Sequence, residues 1–122
     1  NLIKNDLKID GDKIKPFVKK MDKNLQLLTK FSNWIKEKME SSKDDVSAAS
    51  NEYLKVLGLV AIGHAWIKVL EVSFNDYENN NKFYEDKIQT ANFFFNRVLP
   101  RVESYYLTAT SGSKYIMNFK FN

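Results

Sequence analysis

The chain has 122 residues, enough for one domain with a single core, and its apolar and charged fractions, 43% and 28%, are those of a folded globular protein. It contains no cysteine, which excludes a disulfide framework and a thiolate metal site and favours an intracellular, cytoplasmic location. The N-terminal stretch has neither the apolar region nor the cleavage site of a signal peptide. Because the chain does not begin with Met, we expect a fragment or a processed chain.

The net charge of +4 comes almost entirely from lysine. Residues 1–43 hold eleven lysines against six acidic residues, and the remainder is close to neutral. These lysines are interspersed with Asp and Glu rather than with Arg, Gly or aromatic residues, which is typical of a solvated helix surface. We therefore expect no nucleic-acid partner.

Apolar residues recur every three to four positions in the first third of the chain and predict an amphipathic helix of about seven turns. Pro16 lies in its first turn, where a missing N–H costs little. The polar stretch 40–45 ends the pattern and supplies N-cap candidates for the next helix. The stripe consists of Ile14, Phe17, Val18, Met21, Leu25, Leu28, Phe31, Trp34 or Ile35, and Met39.

A second predicted helix begins near Asp45 or Ser47 and is apolar on almost every side from Tyr53 to Phe74. A helix of this kind is normally surrounded by protein, so we expect the central, buried helix of the fold. Only residues 56–67 are nearly free of polar groups, which is too short for a membrane span.

Two glycines lie inside this second helix, at Gly58 and Gly63. Each costs about 1 kcal/mol relative to alanine in a helix interior, a cost that makes sense where a neighbouring helix leaves no room for a Cβ. We therefore predict close helix packing at Gly58 and Gly63, and we assign Trp66 to the same packing surface.

Three consecutive aromatic residues, Phe93, Phe94 and Phe95, lie in the third predicted helix. They sweep about 200° around a helix, so they cannot all face one seam, and we expect at least one ring at an interface with another domain or subunit. Pro100 falls in the same run and either kinks this helix or divides it in two. The apolar phase continues from 88 to 105, which favours a kink.

The pattern contains no strand alternation and no repeat of fixed period, and its loops are short. It predicts an all-α, up-and-down antiparallel helical bundle of three long helices, or of four if Pro100 divides the third. Residues 111–113 end the last helix, and we expect 114–122 to form either a docked tail or a frayed end.

Side chains that could support catalysis are few. His64 is the only histidine; it could act as a general base, but no carboxylate at helical spacing would orient it, so we favour a core or interface histidine. The sequence has no metal-ligand spacing, no P-loop and no G-x-G-x-x-G motif, and Asp44-Asp45 fits a helix N-terminus. We predict no catalytic, cofactor-binding or metal residue and no self-sufficient enzyme.

At the level of motifs, the chain resembles the C-terminal helical domain appended to a subset of acyl-CoA dehydrogenases, including 3-methylmercaptopropionyl-CoA dehydrogenase-like and long-chain types. The opening residues are similar to the segment that follows the catalytic helical domain in those enzymes, although Asn5-Asp6 stands where Gly-Arg is usual and Asp12 replaces a Gly. The matching positions are Tyr53, Leu54, Leu57, Gly58, Val60, Gly63, Trp66, Phe83, Lys87, Ala91, Phe93, Phe94, Leu99, Pro100, Gly112 and Met117.

The resemblance implies a linker at residues 1–11 and the bundle domain at 12–122, preceded by the catalytic module of a FAD-dependent enzyme that oxidises acyl-CoA to 2,3-enoyl-CoA. The partners it implies are that catalytic module and a further subunit of a homo-oligomer, with FAD bound in the parent and not here. Two alternatives remain: a free-standing helical-bundle protein-interaction module and a small enzyme that uses His64.

Overall fold

The computed structural model describes residues 11–111, and every secondary-structure element in that range is helical, which confirms the all-α prediction there. The predicted linker lies outside the described residues except for Gly11, which begins the first helix, and the tail at 112–122 lies outside them too. The elements are α1 (Gly11–Ser41), α2 (Lys43–Asn75), a 3₁₀ turn (Tyr77–Asn79), α3 (Asn81–Phe93), a π-helical turn (Phe94–Val98) and α4 (Arg101–Thr110).

Side-chain caps fix the starts of α2 and α3. Ser42 alone separates α1 from α2, and its hydroxyl accepts a hydrogen bond from the Asp45 backbone N–H at 3.3 Å. Across the same junction the Lys38 ammonium lies 3.8 Å from the Asp45 carboxylate. The Asn80 side chain accepts from the Phe83 N–H at 3.3 Å and begins α3 in the same way. The starts of both helices therefore follow from local capping chemistry.

The core lies between α2 and the elements that contact it, which are α1, α3, the π-helical turn and α4. Phe31 of α1 is fully buried, and its ring packs edge-on against Tyr53 of α2 at 5.0 Å and Tyr106 of α4 at 5.7 Å. The buried apolar residues are Ile14, Phe17, Met21, Phe31, Ala49, Val56, Val60, Ile67, Leu70, Phe74, Ala91, Phe94, Phe95, Leu99, Val102 and Ala109.

Pro100 lies between a widened turn and a tightened turn. The Leu99 N–H donates to the Phe94 carbonyl at 2.8 Å, five residues back, whereas the Val102 N–H donates to the Leu99 carbonyl at 3.0 Å and the Glu103 N–H to the Pro100 carbonyl at 3.2 Å, both three residues back. A regular helix would need an N–H that proline lacks and would press its ring against the preceding turn. The two irregular turns carry the chain past the proline into α4.

The prediction that α2 is surrounded on every side is wrong for this chain. Leu54, Ile62 and Val72 are 67%, 48% and 51% exposed, while the opposite side of the helix is buried. The cause is geometric, since α1, α3 and α4 all contact the same half of the α2 cylinder.

By length and composition α2 is also the one described helix that could cross a membrane. An 18-residue window has a mean hydropathy of 1.5, and 33% of that window is buried within the chain. Core helices of soluble proteins pass the same test, so this property does not separate the two environments.

The two glycines of α2 have different surroundings. A Cβ at Gly63 would lie 2.7 Å from the Met21 sulfur of α1 and 3.5 Å from the Phe94 ring. At Gly58 nothing lies within 4 Å of such a Cβ, so the predicted close packing at Gly58 is wrong within residues 11–111, where no helix lies over it. Trp66 is half-buried and packs against the core.

Because of these surroundings, alanine substitution at the two positions should change the free energy of unfolding by different amounts. Gly58→Ala should raise the free energy of unfolding by about 1 kcal/mol, because it gains helix propensity without a clash. Gly63→Ala gains the same propensity, but the flexible end of the buried Met21 side chain must move aside, which should cancel part of the gain and leave this variant less stable than Gly58→Ala by up to about 1 kcal/mol. Urea unfolding followed by circular dichroism measures both, and equal gains would contradict the close contact at Gly63.

Candidate interaction surface

One side of α2 forms a continuous exposed surface that no other described element covers. The α-helical period of 3.6 residues brings positions three and four apart to the same side, opposite the buried residues of α2. We define the α2 face as these exposed residues: Leu54, Leu57, Gly58, Ala61, Ile62, Ala65, Lys68 and Val72.

The α2 face is apolar except for Lys68. Burying a Leu, Ile or Val side chain fully is worth about 1.5–3 kcal/mol, so half-exposed side chains leave roughly 1 kcal/mol each unrealised. Its middle consists of small residues, since Gly58, Ala61 and Ala65 lie along it between Leu54 and Val72. A contiguous apolar surface with charged residues at its edge is typical of a protein interaction site.

A groove between α2 and α4 borders this surface. It has a volume of 290 Å³ and includes the empty space above Gly58. The Lys55 ammonium lies 5.2 Å from the centre of the Tyr105 ring, so this cation is held by an aromatic face and not by a carboxylate. The groove is lined by Lys55, Gly58, Leu59, Ile62, Arg101 and Tyr105.

The three consecutive phenylalanines divide between core and surface. Phe94 and Phe95 begin the π-helical turn and are 7% and 1% exposed, and the Phe95 ring packs edge-on against Phe17 at 5.3 Å. Phe93, the last residue of α3, is 62% exposed. Of these three rings, Phe93 is the one exposed enough to lie at an interface. Its interface role stays a prediction.

His64 is exposed on α2, so the core-histidine interpretation is wrong, although an interface role stays open. Its neighbours one turn away are Val60, Ile67 and Lys68, none of which can orient an imidazole as a carboxylate would. Over residues 11–111 no three His, Cys, Asp or Glu side chains come close enough to hold a metal ion.

Comparison with known families gives one match. The model of the family described as acetyl-CoA dehydrogenase C-terminal like matches residues 1–120. The chain belongs to this family. No curated protein and no solved structure matches the chain. As the family resemblance in the sequence predicted, it is a C-terminal domain of acyl-CoA dehydrogenase-like proteins.

The N-termini of α2 and α3 do not fit the pyrophosphate of FAD. A dinucleotide pyrophosphate is usually bound by free backbone N–H groups at a helix N-terminus. Here the Ser42 and Asn80 side chains already accept hydrogen bonds from N–H groups at the starts of α2 and α3. Asp44 and Asp45 add negative charge to the start of α2. Both central glycines lie inside a helix, away from any N-terminus.

A second concave region lies where the 3₁₀ turn meets α3, a cleft of 480 Å³ that the sequence analysis did not identify. The Tyr77 hydroxyl donates to the Glu85 carboxylate at 3.0 Å, and the Gln89 amide donates to its other oxygen at 3.2 Å. The hydrogen bond to Glu85 raises the pKa of Tyr77 above its ordinary value. No sequence motif marks a pair eight residues apart, so only the fold shows that Tyr77 and Glu85 meet. The cleft is lined by Lys13, Phe74, Asn75, Tyr77, Glu78, Glu85 and Ile88.

Alanine substitutions within the phenylalanine run should differ sharply. Phe95→Ala removes a buried ring and should cost about 3–5 kcal/mol of the free energy of unfolding. Phe93→Ala removes an exposed ring and should cost less than about 1 kcal/mol. Thermal and urea unfolding of the two variants checks this, and similar losses would mean that Phe93 is packed in solution.

The Tyr77–Glu85 hydrogen bond should make stability depend on pH in the alkaline range. Because the folded-state pKa of Tyr77 lies above the ordinary value of 10.0, the bond stabilises the fold below that pH, and its contribution is lost as pH rises through the raised pKa. Tyr77→Phe should therefore be less stable than the parent chain at pH 8, with a difference that shrinks at higher pH. Tyr84→Phe, which removes a phenol outside the described hydrogen bonds, is the control, and a difference that is constant with pH would contradict the assignment.

Proposed function

We propose that this chain is the non-catalytic C-terminal domain of a FAD-dependent acyl-CoA dehydrogenase. The parent enzyme oxidises acyl-CoA to 2,3-enoyl-CoA in a preceding module, which binds FAD, and the C-terminal domain packs on that catalytic core or at a subunit interface. Family membership over residues 1–120 supports the association with an acyl-CoA dehydrogenase. The lack of a catalytic cluster in the described residues supports a structural role for the domain.

The exposed α2 face is the observation that carries the proposal. A 33-residue helix with apolar residues on both sides needs a partner on both sides, and α1, α3 and α4 supply only one. An apolar surface of this length is costly in water and is normally covered by another domain or subunit. The catalytic module of the same polypeptide is the partner that the family provides.

We further infer an up-and-down antiparallel bundle within residues 12–122, with 1–11 as the linker. Three contacts between α1 and α2 support this order: Lys38 with Asp45, Ser32 with Tyr53, and Met21 beside Gly63. The further a contacting pair lies from the junction between α1 and α2, the more residues separate its two members in the sequence, as in an antiparallel helical pair. We also propose a cytoplasmic location for the parent, which the lack of cysteine in this chain supports.

Cysteine labelling tests the packing, because the chain has no cysteine of its own. Ala65→Cys places a thiol on the α2 face, and Gln26→Cys places one on the exposed side of α1. In the longer polypeptide encoded by the complete gene, maleimide labelling at position 65 should be at least about tenfold slower than in the 122-residue chain, which corresponds to about 1.4 kcal/mol of protection. Labelling at position 26 should be the same in both.

The longer polypeptide should also bind FAD and oxidise an acyl-CoA, which the 122-residue chain should not do. A complete gene product that begins at Asn1 or one residue before it, or equal labelling at position 65 in both proteins, would contradict the proposal. Either result would favour the free-standing interaction module instead.

A further inference from the structure

We propose that the α2 face docks a helix of the catalytic module that carries carboxylates along its apolar side. This inference rests on the proposed function and adds the chemistry of the partner. It is carried by the charge at the rim of the α2 face, by the groove beside Gly58 and by the length of the surface.

The first observation is the sign of the charges at the rim. Between Glu52 and Glu71 the only charged residues of α2 are Lys55 and Lys68, and α4 adds Arg101 across the groove. The described ion pairs join other residues, so none of these three cations is paired with a carboxylate within residues 11–111.

This local imbalance is informative because the chain as a whole is not depleted in acids, with 19 Lys and Arg against 15 Asp and Glu. Four lysines elsewhere, Lys15, Lys23, Lys38 and Lys82, do have carboxylate partners, as in the pairs Lys15–Asp12 and Lys82–Asp86. At an interface an unpaired cation at the edge of an apolar surface selects a partner of opposite charge and disfavours one of like charge. A guanidinium such as that of Arg101 also matches a carboxylate in a two-point geometry.

The second observation is the shape of the surface. From Leu54 to Val72 the α2 face extends about 27 Å at 1.5 Å per residue, which matches five turns of a second helix. The middle of the face has only small side chains, at Gly58, Ala61 and Ala65. A second helix can therefore approach closely there, with its larger side chains beside Leu57 and Ile62.

Two other occupants fit this surface less well. A second copy of the chain, packed face to face, would bring Lys55, Lys68 and Arg101 from both copies into one interface with no carboxylate among them, and like charges there cost free energy. A membrane surface would suit the cations, but the α2 face carries none of the Trp and Phe side chains that anchor interfacial helices.

Charge reversal in the complete gene product tests the inference, with labelling of the Ala65→Cys thiol as the readout. Lys55→Glu combined with Arg101→Glu should speed labelling by about tenfold, because two favourable rim pairs become unfavourable. Lys30→Glu combined with Lys36→Glu makes the same change in net charge on the exposed side of α1 and should leave labelling unchanged. Circular dichroism verifies folding, and Lys68→Glu, which disrupts no described contact, is a second variant expected to act in the same direction.

Carbodiimide cross-linking tests the partner directly, because it joins a lysine amine to a carboxylate in contact with it. In the complete gene product Lys55 or Lys68 should link to an Asp or Glu outside residues 1–122, in a segment with helical apolar spacing, while Lys30 should not. Protection of position 65 that is insensitive to charge reversal would overturn this inference and leave the proposed function intact. Absence of that protection in the complete gene product without charge substitutions would contradict both.

Two further results would also overturn the inference. The first is a cross-link from Lys55 or Lys68 to residues 1–122 of a second copy of the chain. The second is binding of the 122-residue chain to phosphatidylcholine–phosphatidylglycerol vesicles that the Lys55→Glu, Arg101→Glu variant abolishes, which would assign the face to anionic lipid.

Discussion

The structure depends on a single constraint: α2 has more apolar surface than the other described helices cover. One half of this helix organises the core, since α1, α3 and α4 all pack against it through residues such as Val56, Val60 and Ile67. The other half stays exposed, and each half-exposed aliphatic residue there forgoes roughly 1 kcal/mol. The described part of the domain therefore folds around one side of its central helix and leaves the other side open to a partner.

The same asymmetry explains the different surroundings of the two glycines. At Gly63 the helix is pressed against Met21 and Phe94, so the missing Cβ makes room for the core. At Gly58 the missing Cβ leaves an open groove beside Arg101 and Tyr105. Both residues weaken the helix by about the same amount. Within residues 11–111 Gly63 has close contacts that offset this cost, and Gly58 has none.

The irregular backbone around Pro100 serves the core. The π-helical turn directs both Phe94 and Phe95 inward, and the tighter turn after Pro100 continues the same packing through Val102. Phe94 and Phe95 are therefore buried in the core, and Phe93 is the one ring of the three that is exposed. The sequence indicated that the three rings could not share one seam, but it could not show which ring would be exposed, because a regular helix and a π-helical turn assign adjacent residues to different sides.

The sequence by itself determined the helical class, the positions of the helices to within a few residues, the turn-forming Ser42 and Asn80 regions and the family, because these depend on local periodicity, capping chemistry and a pattern of packing residues. Tertiary structure alone decided which side of α2 is covered, which glycine packs, that His64 is exposed and that Tyr77 reaches Glu85. A hydropathy pattern records how much apolar surface a helix carries, whereas burial depends on how many neighbours the rest of the chain can place around it. In this domain those neighbours cover one side of α2 and not the other.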